Sequence, residues 1–137
     1  MGERSKVYMT DLRCRPGVSL LNKLEKLMRT AGIGEINFER KLAIKMHFGE
    51  PGNLAFLRPN YAKVVADVVK SLGGVPFLTD CNTLYPGRRK NALEHLDAAY
   101  ENGFSPLSTG CQVIIGDGLR GNDDVEAPVE GAEYLQT

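Results

Sequence analysis

The chain has 137 residues, 42% of them hydrophobic, with seventeen basic residues against seventeen acidic ones. That length suits one domain with a sizeable core, and nothing in the balanced charge suggests a general nucleic-acid or membrane surface. No apolar run approaches the roughly 20 residues that span a bilayer, and the opening Met-Gly-Glu-Arg-Ser-Lys lacks the apolar region of a signal peptide. The sequence therefore predicts a cytoplasmic protein with no membrane and no nucleic-acid partner.

In chain order, Val7-Tyr8-Met9 reads as a short strand that runs into Thr10 and Asp11. After Pro16-Gly17, Leu20, Leu21, Leu24, Leu27, Met28 and Ala31 recur as one apolar helical stripe, with Ser19 as N-cap and Gly32 as stop. Leu42 to Met46 reads as a second strand. A turn rich in Gly, Pro and Asn follows, and Pro59 suits the first turn of a helix. Tyr61, Val64, Val65, Val68, Val69 and Leu72 give that helix its stripe, and spacing outweighs the strand preference of valine. Val75 to Thr79 is a third strand, although Pro76 argues against a central position. A third helix covers about Lys90 to Asn102, and Val113-Ile114-Ile115 is a fourth strand.

The order β-α-β-α-β-α-β predicts an α/β fold: a mainly parallel open sheet of about four strands with three flanking helices on its faces. Residues 1–118 form this domain. Residues 119–137 read as an acidic, turn-rich tail or edge segment.

Each predicted strand ends in a polar residue: Asp11, His47, Asp80 and Asp117. In a parallel sheet all four stand at the carboxyl edge, where open α/β sheets bind ligands. One imidazole with carboxylates suits a hard or borderline divalent metal, or acid–base work; aspartates after strands also serve turns and caps. His47, Glu50 and Asp80 are therefore the catalytic candidates, and His47 and Asp80 the metal candidates. The turn His47-Phe48-Gly49-Glu50-Pro51-Gly52-Asn53 matches neither a Walker A loop nor a dinucleotide fingerprint, but its glycines permit close backbone approach to a ligand.

Asn53, Asn82 and Thr83 are candidate ligand contacts. Arg88, Arg89 and Asn91, near a helix start, are candidates for gripping a carboxylate or phosphate. His95 flanks an apolar helix stripe and reads as structural. Cys14, Cys81 and Cys111 are odd in number and widely spaced, which argues against a disulfide framework and a Cys-x-x-Cys zinc site.

Three stretches carry a resemblance: Ala43-Ile44-Lys45-Met46-His47-Phe48-Gly49-Glu50-Pro51-Gly52-Asn53, Thr79-Asp80-Cys81-Asn82-Thr83-Leu84-Tyr85, and Arg88-Arg89-Lys90-Asn91-Ala92 with the helix through His95 to Phe104. In these the chain resembles a family of uncharacterised prokaryotic iron–sulfur centre proteins, domain of unknown function 362. The resemblance implies a longer protein, of which this chain is either a truncated N-terminal portion or a shortened relative, and family members often carry a ferredoxin-like module further on. It implies an iron–sulfur cluster whose ligands are not in this chain, since no Cys-x-x-Cys-x-x-Cys run is present.

Together these observations predict part of a cytoplasmic, redox-linked protein with a small-ligand or metal site at the carboxyl edge of the sheet, served by an electron-transfer partner. The alternative is a non-catalytic α/β module that binds a small anion or a partner. Whether the protein is an enzyme, and its oligomeric state, stay open at this level.

Overall fold

The computed structural model describes residues 4–38 and 41–127. Helix α1 (Leu20–Thr30) is followed by a 3-10 turn (Ile33–Glu35), strand β1 (Lys41–Lys45), helix α2 (Pro59–Ser71), strand β2 (Val75–Asp80), helices α3 (Ala92–Glu101) and α4 (Pro106–Thr109), and strand β3 (Gln112–Ile115). The strands form one parallel sheet in the order β1-β2-β3, with Ile44 level with Leu78, and Leu78 level with Val113. The α/β class and parallel sheet agree with the sequence reading.

The helices start where local chemistry dictates. Ser19 caps α1 through a reciprocal pair with Asn22: the Asn22 N–H donates to Ser19 Oγ at 3.2 Å, and the Ser19 N–H donates to Asn22 Oδ1 at 3.0 Å. Pro59 opens α2, and Asn91 caps α3 by accepting from the Glu94 N–H at 3.0 Å. Helix α4 was not foreseen. It is a single turn, with Ser105 as its cap and Pro106 at its start.

Three expectations need correction. Val7-Tyr8-Met9 is not a strand: the segment is exposed and unpaired, because among the described residues no strand lies beside it. Asp11 therefore does not stand at the sheet edge; it lies beside α1, ion-paired with Lys23. Pro76 sits in the central strand. The hydrogen bonds Met46 N–Thr79 O and Gly116 N–Asp80 O show that odd residues of β2 face β1 and even ones face β3. The position of Pro76 would face β3, but β3 begins one residue further along, level with Phe77, so no ladder bond is lost.

The helices also cover one face rather than both. Two right-handed crossovers stepping in the same direction leave their helices on the same side, and α2 packs against α4. On that side Leu78, Val113 and Ile115 are buried around Phe48 and Phe104, whose ring centroids are 5.3 Å apart. On the other side Val75 and Ile114 are exposed. Of the predicted tail, residues 119–127 are exposed and form no strand, and residues 128–137 lie outside the described residues. Among the described residues no helix is long and apolar enough to cross a membrane.

Leu78, fully buried at the centre of the sheet, should be the most sensitive aliphatic position. Leu78→Ala is expected to cost about 2–5 kcal/mol in urea unfolding. Leu84→Ala, at a fully exposed position, should stay within about 0.5 kcal/mol of the parent.

Candidate functional site

The turn after β1 is built to present Glu50. Phe48 is fully buried, and its carbonyl accepts from Asn102 Nδ2 at 3.0 Å. Gly49 has φ +86°, and a Cβ there would lie 2.6 Å from Asn102 Nδ2 and 2.7 Å from the Phe56 ring, so only glycine fits. His47 points outward, and its Nδ1 accepts the Gly49 N–H at 2.9 Å. With Phe48 anchored and Gly49 turning the chain, the Glu50 carboxylate is carried toward the loop that follows β2.

That loop carries the centre of the site. Arg89 is only 4% exposed. Its Nε donates to Glu50 Oε1 at 2.8 Å, its Nη2 pairs with the same oxygen and donates to Tyr85 OH at 2.6 Å, and its Nη1 lies 3.4 Å from Asp80 Oδ2. Tyr85 OH donates in turn to Glu50 Oε1 at 2.6 Å. Asp80 is also buried. Its Oδ1 accepts from Lys45 Nζ and from the Cys81 N–H, both at 3.0 Å, while Oδ2 lies 3.7 Å from His95 Nε2. A buried guanidinium is thus bracketed by carboxylates from two different strand ends.

The protonation states follow from these contacts. Hydrogen bonds from Arg89 and then Tyr85 hold the Glu50 carboxyl below its usual range. The same bond to Glu50 pushes the Tyr85 phenol up. Burial works against the charge on Arg89, but Glu50 more than offsets it, so Arg89 stays protonated. His95 is fully buried, and desolvation lowers its pKa, with the nearby Asp80 charge opposing.

The structure brings Glu50, Asp80 and Arg89 together, and adds three groups that were not among the sequence candidates: Lys45, Tyr85 and His95. Asn82 forms a neighbouring cluster. Its N–H donates to Asp117 at 2.9 Å, and its Nδ2 donates to Asp117 Oδ1 at 3.0 Å and to the Gly118 carbonyl at 2.9 Å. The Thr83 N–H closes the loop onto the Arg89 carbonyl at 2.8 Å.

Other candidates serve local structure. Asn53 Oδ1 accepts from the Ala55 N–H at 2.8 Å in an exposed turn, and Asn91 caps α3. Arg88 is exposed and forms a bidentate pair with Glu101, at 2.6 and 2.8 Å, near the end of α3 rather than its start.

The metal reading of His47 and Asp80 finds no support in this geometry. Among the described residues no group of three or more His, Cys, Asp or Glu is placed to hold a metal ion. Both oxygens of Asp80 already face cations or donors. The cysteines do not fit an iron–sulfur cluster either. Cys81 follows the carboxyl end of β2 and Cys111 precedes the amino end of β3. The register puts five residues, ~16 Å, between their levels, and exposed Cys14 belongs to the segment before α1.

Residues 42–137, well over half of the chain, match the family profile described as domain of unknown function (DUF362). The chain belongs to that family. No curated protein and no solved structure matches it. The matched region contains every residue of the network just described.

Two of these groups set a pH dependence. The folded pKa of Glu50 lies below its ordinary value of 4.5, so unfolded chains bind the extra proton and stability falls as the pH drops below that value. The folded pKa of His95 lies below 6.5, so stability already declines as the pH drops through the region near 6.5. His95→Gln should flatten the upper part of this decline in pH-dependent urea unfolding, and Glu50→Gln the lower part. Arg89→Leu leaves two carboxylates facing each other and should cost about 3–5 kcal/mol at neutral pH.

Proposed function

We propose that the carboxyl edge of the sheet is the small-ligand site of a cytoplasmic, redox-linked protein of the iron–sulfur kind that the sequence resembles. The observation that carries this reading is the Glu50–Arg89–Asp80 network. A core does not need a buried guanidinium between two carboxylates, and replacing such groups by apolar ones is often neutral or stabilising. This network lies at the carboxyl ends of β1 and β2, the edge at which open α/β sheets bind ligands, although the order β1-β2-β3 contains no reversal. Around it Lys45, His47 and Tyr85 remain exposed, so a small anion such as a carboxylate or phosphate would meet Lys45 and His47 while the network beneath stays rigid. Any iron–sulfur cluster would be held by cysteines other than Cys14, Cys81 and Cys111, and electrons would pass to or from a partner that carries it.

The second reading is a non-catalytic module that binds an anion or a partner. One observation favours it: Arg89 is balanced by Glu50 and Asp80, and Arg88 by Glu101. The edge can then hold a ligand with no group left over for chemistry.

Titration of the isotopically labelled protein with acetate and with inorganic phosphate at low salt tests the site. Saturable amide shifts are expected at Lys45, His47, Glu50 and Tyr85 for at least one of the two anions, weakened severalfold in Lys45→Gln with His47→Ala. Absence of any saturable shift at this edge would overturn the assignment. Metal analysis of anaerobically purified protein runs in parallel: stoichiometric metal lost in His47→Ala would favour a metal centre over the anion site.

A further inference from the structure

The edge network conceals a second layer. Among the described residues, three buried side-chain nitrogen or oxygen atoms lack a hydrogen-bond partner: Asn82 Oδ1, His95 Nδ1 and His95 Nε2. Both residues adjoin the Asp80 end of β2. Asp117 holds Asn82 through hydrogen bonds and also bears electrostatically on His95. Elsewhere in the described interior, buried polar side-chain atoms are paired, as native interiors require. All three lie near one strand end: His95 Nε2 is 3.7 Å from Asp80 Oδ2, and Asn82 follows Asp80 by two residues and is held by Asp117.

We propose that His95, Asp80 and Asn82 form a concealed subsite, closed by Arg89 and Tyr85, that takes a hydroxyl of the ligand. The inference rests on the carboxyl-edge reading above and extends it: the ligand is a small acid that carries a hydroxyl. Neutral imidazole offers one donor and one acceptor, and Asn82 Oδ1 offers an acceptor. A hydroxyl can accept from one ring nitrogen and donate its single hydrogen to Asn82 Oδ1.

Charge excludes the other candidates. An anion would meet the Asp80 carboxylate, 3.7 Å from His95 Nε2, and a cation would meet Arg89. The Phe48 ring, 5.9 Å from the imidazole in an edge-on arrangement, makes one wall apolar. Access needs Tyr85 and Arg89 to part from Glu50. A separate cleft of about 750 Å³ lies between the N-terminal segment and α1, lined by Val7, Met9 and Leu27 among others.

Acetate and glycolate differ by the one group at issue. The experiment titrates each into labelled protein and follows the His95 ring signals and the Asn82 side-chain amide. Glycolate is expected to move both and to bind at least tenfold more tightly than acetate. His95→Phe should reduce glycolate to the level of acetate, and His95→Gln, which keeps a donor and an acceptor, should restore part of the difference. Asn82→Ala supplies an independent variant if His95→Phe fails to fold. Equal binding of the two acids at Lys45 and His47, with His95 silent, would overturn the concealed subsite and leave the edge site standing. No shift from either acid, with phosphate also silent, would overturn both.

Discussion

The carboxyl edge depends on one buried guanidinium. Arg89 lies in an environment where an unpaired charge is prohibitive, so its position is set by what neutralises it. Glu50 comes from the turn after β1, Asp80 from the end of β2, and Tyr85 from the loop that also carries Arg89. Removing one carboxylate leaves the charge half-compensated, and removing Arg89 leaves two carboxylates opposed. The turn after β1 must therefore sit where it does for the loop after β2 to close. Gly49 is the geometric condition for this, because a side chain at its position would collide with Phe56 and Asn102. Lys45 adds a second positive charge at Asp80, so Lys45 and Arg89 together balance Glu50 and Asp80 at neutral pH.

Much of the fold was legible because its signals are local. Apolar spacing located three helices, and Ser19, Pro59 and the glycines after α2 marked ends that depend only on neighbouring backbone. What failed depends on partners distant in sequence. Val7-Tyr8-Met9 has strand composition, but a strand exists only beside another strand, and among the described residues β1 pairs with β2 and not with this segment. Pro76 would disfavour a central strand only if β3 ran level with it, and where β3 begins is not a local signal. Coverage of one face rather than two follows from the direction in which successive strands are added, which composition does not encode.

The site was legible in its residue types and less so in its pairings. Glu50, Asp80 and Arg89 stood among the candidates, but the sequence could not show that Arg89 takes both carboxylates while Arg88 turns to Glu101. The structure leaves His47 exposed and buries His95, and a signal for this was present. Ile44, Met46 and Phe48 continue the period-2 alternation of β1 toward the core, which assigns His47 to the outer side with Lys45. Ala92, His95 and Ala99 share the i, i+3, i+7 stripe of α3, which assigns His95 to the interior. Following the strand period one residue past its expected end places His47, and the helix period alone places His95.

The interior position of His95 also determines its chemistry. It lies in the second turn of α3, close to the helix end where the peptide dipoles place positive potential, and Arg89 adds a full positive charge nearby. Both effects act with burial to keep the ring neutral; the Asp80 carboxylate opposes them but is shared with Lys45 and Arg89. The 3.7 Å between His95 Nε2 and Asp80 Oδ2 is too long for a hydrogen bond. Asp80 and His95 are thus neighbours whose charges do not need each other. Asp80 belongs electrostatically to the cations above it, and the neutral ring keeps its donor and acceptor in reserve beneath a lid of charge that is already balanced.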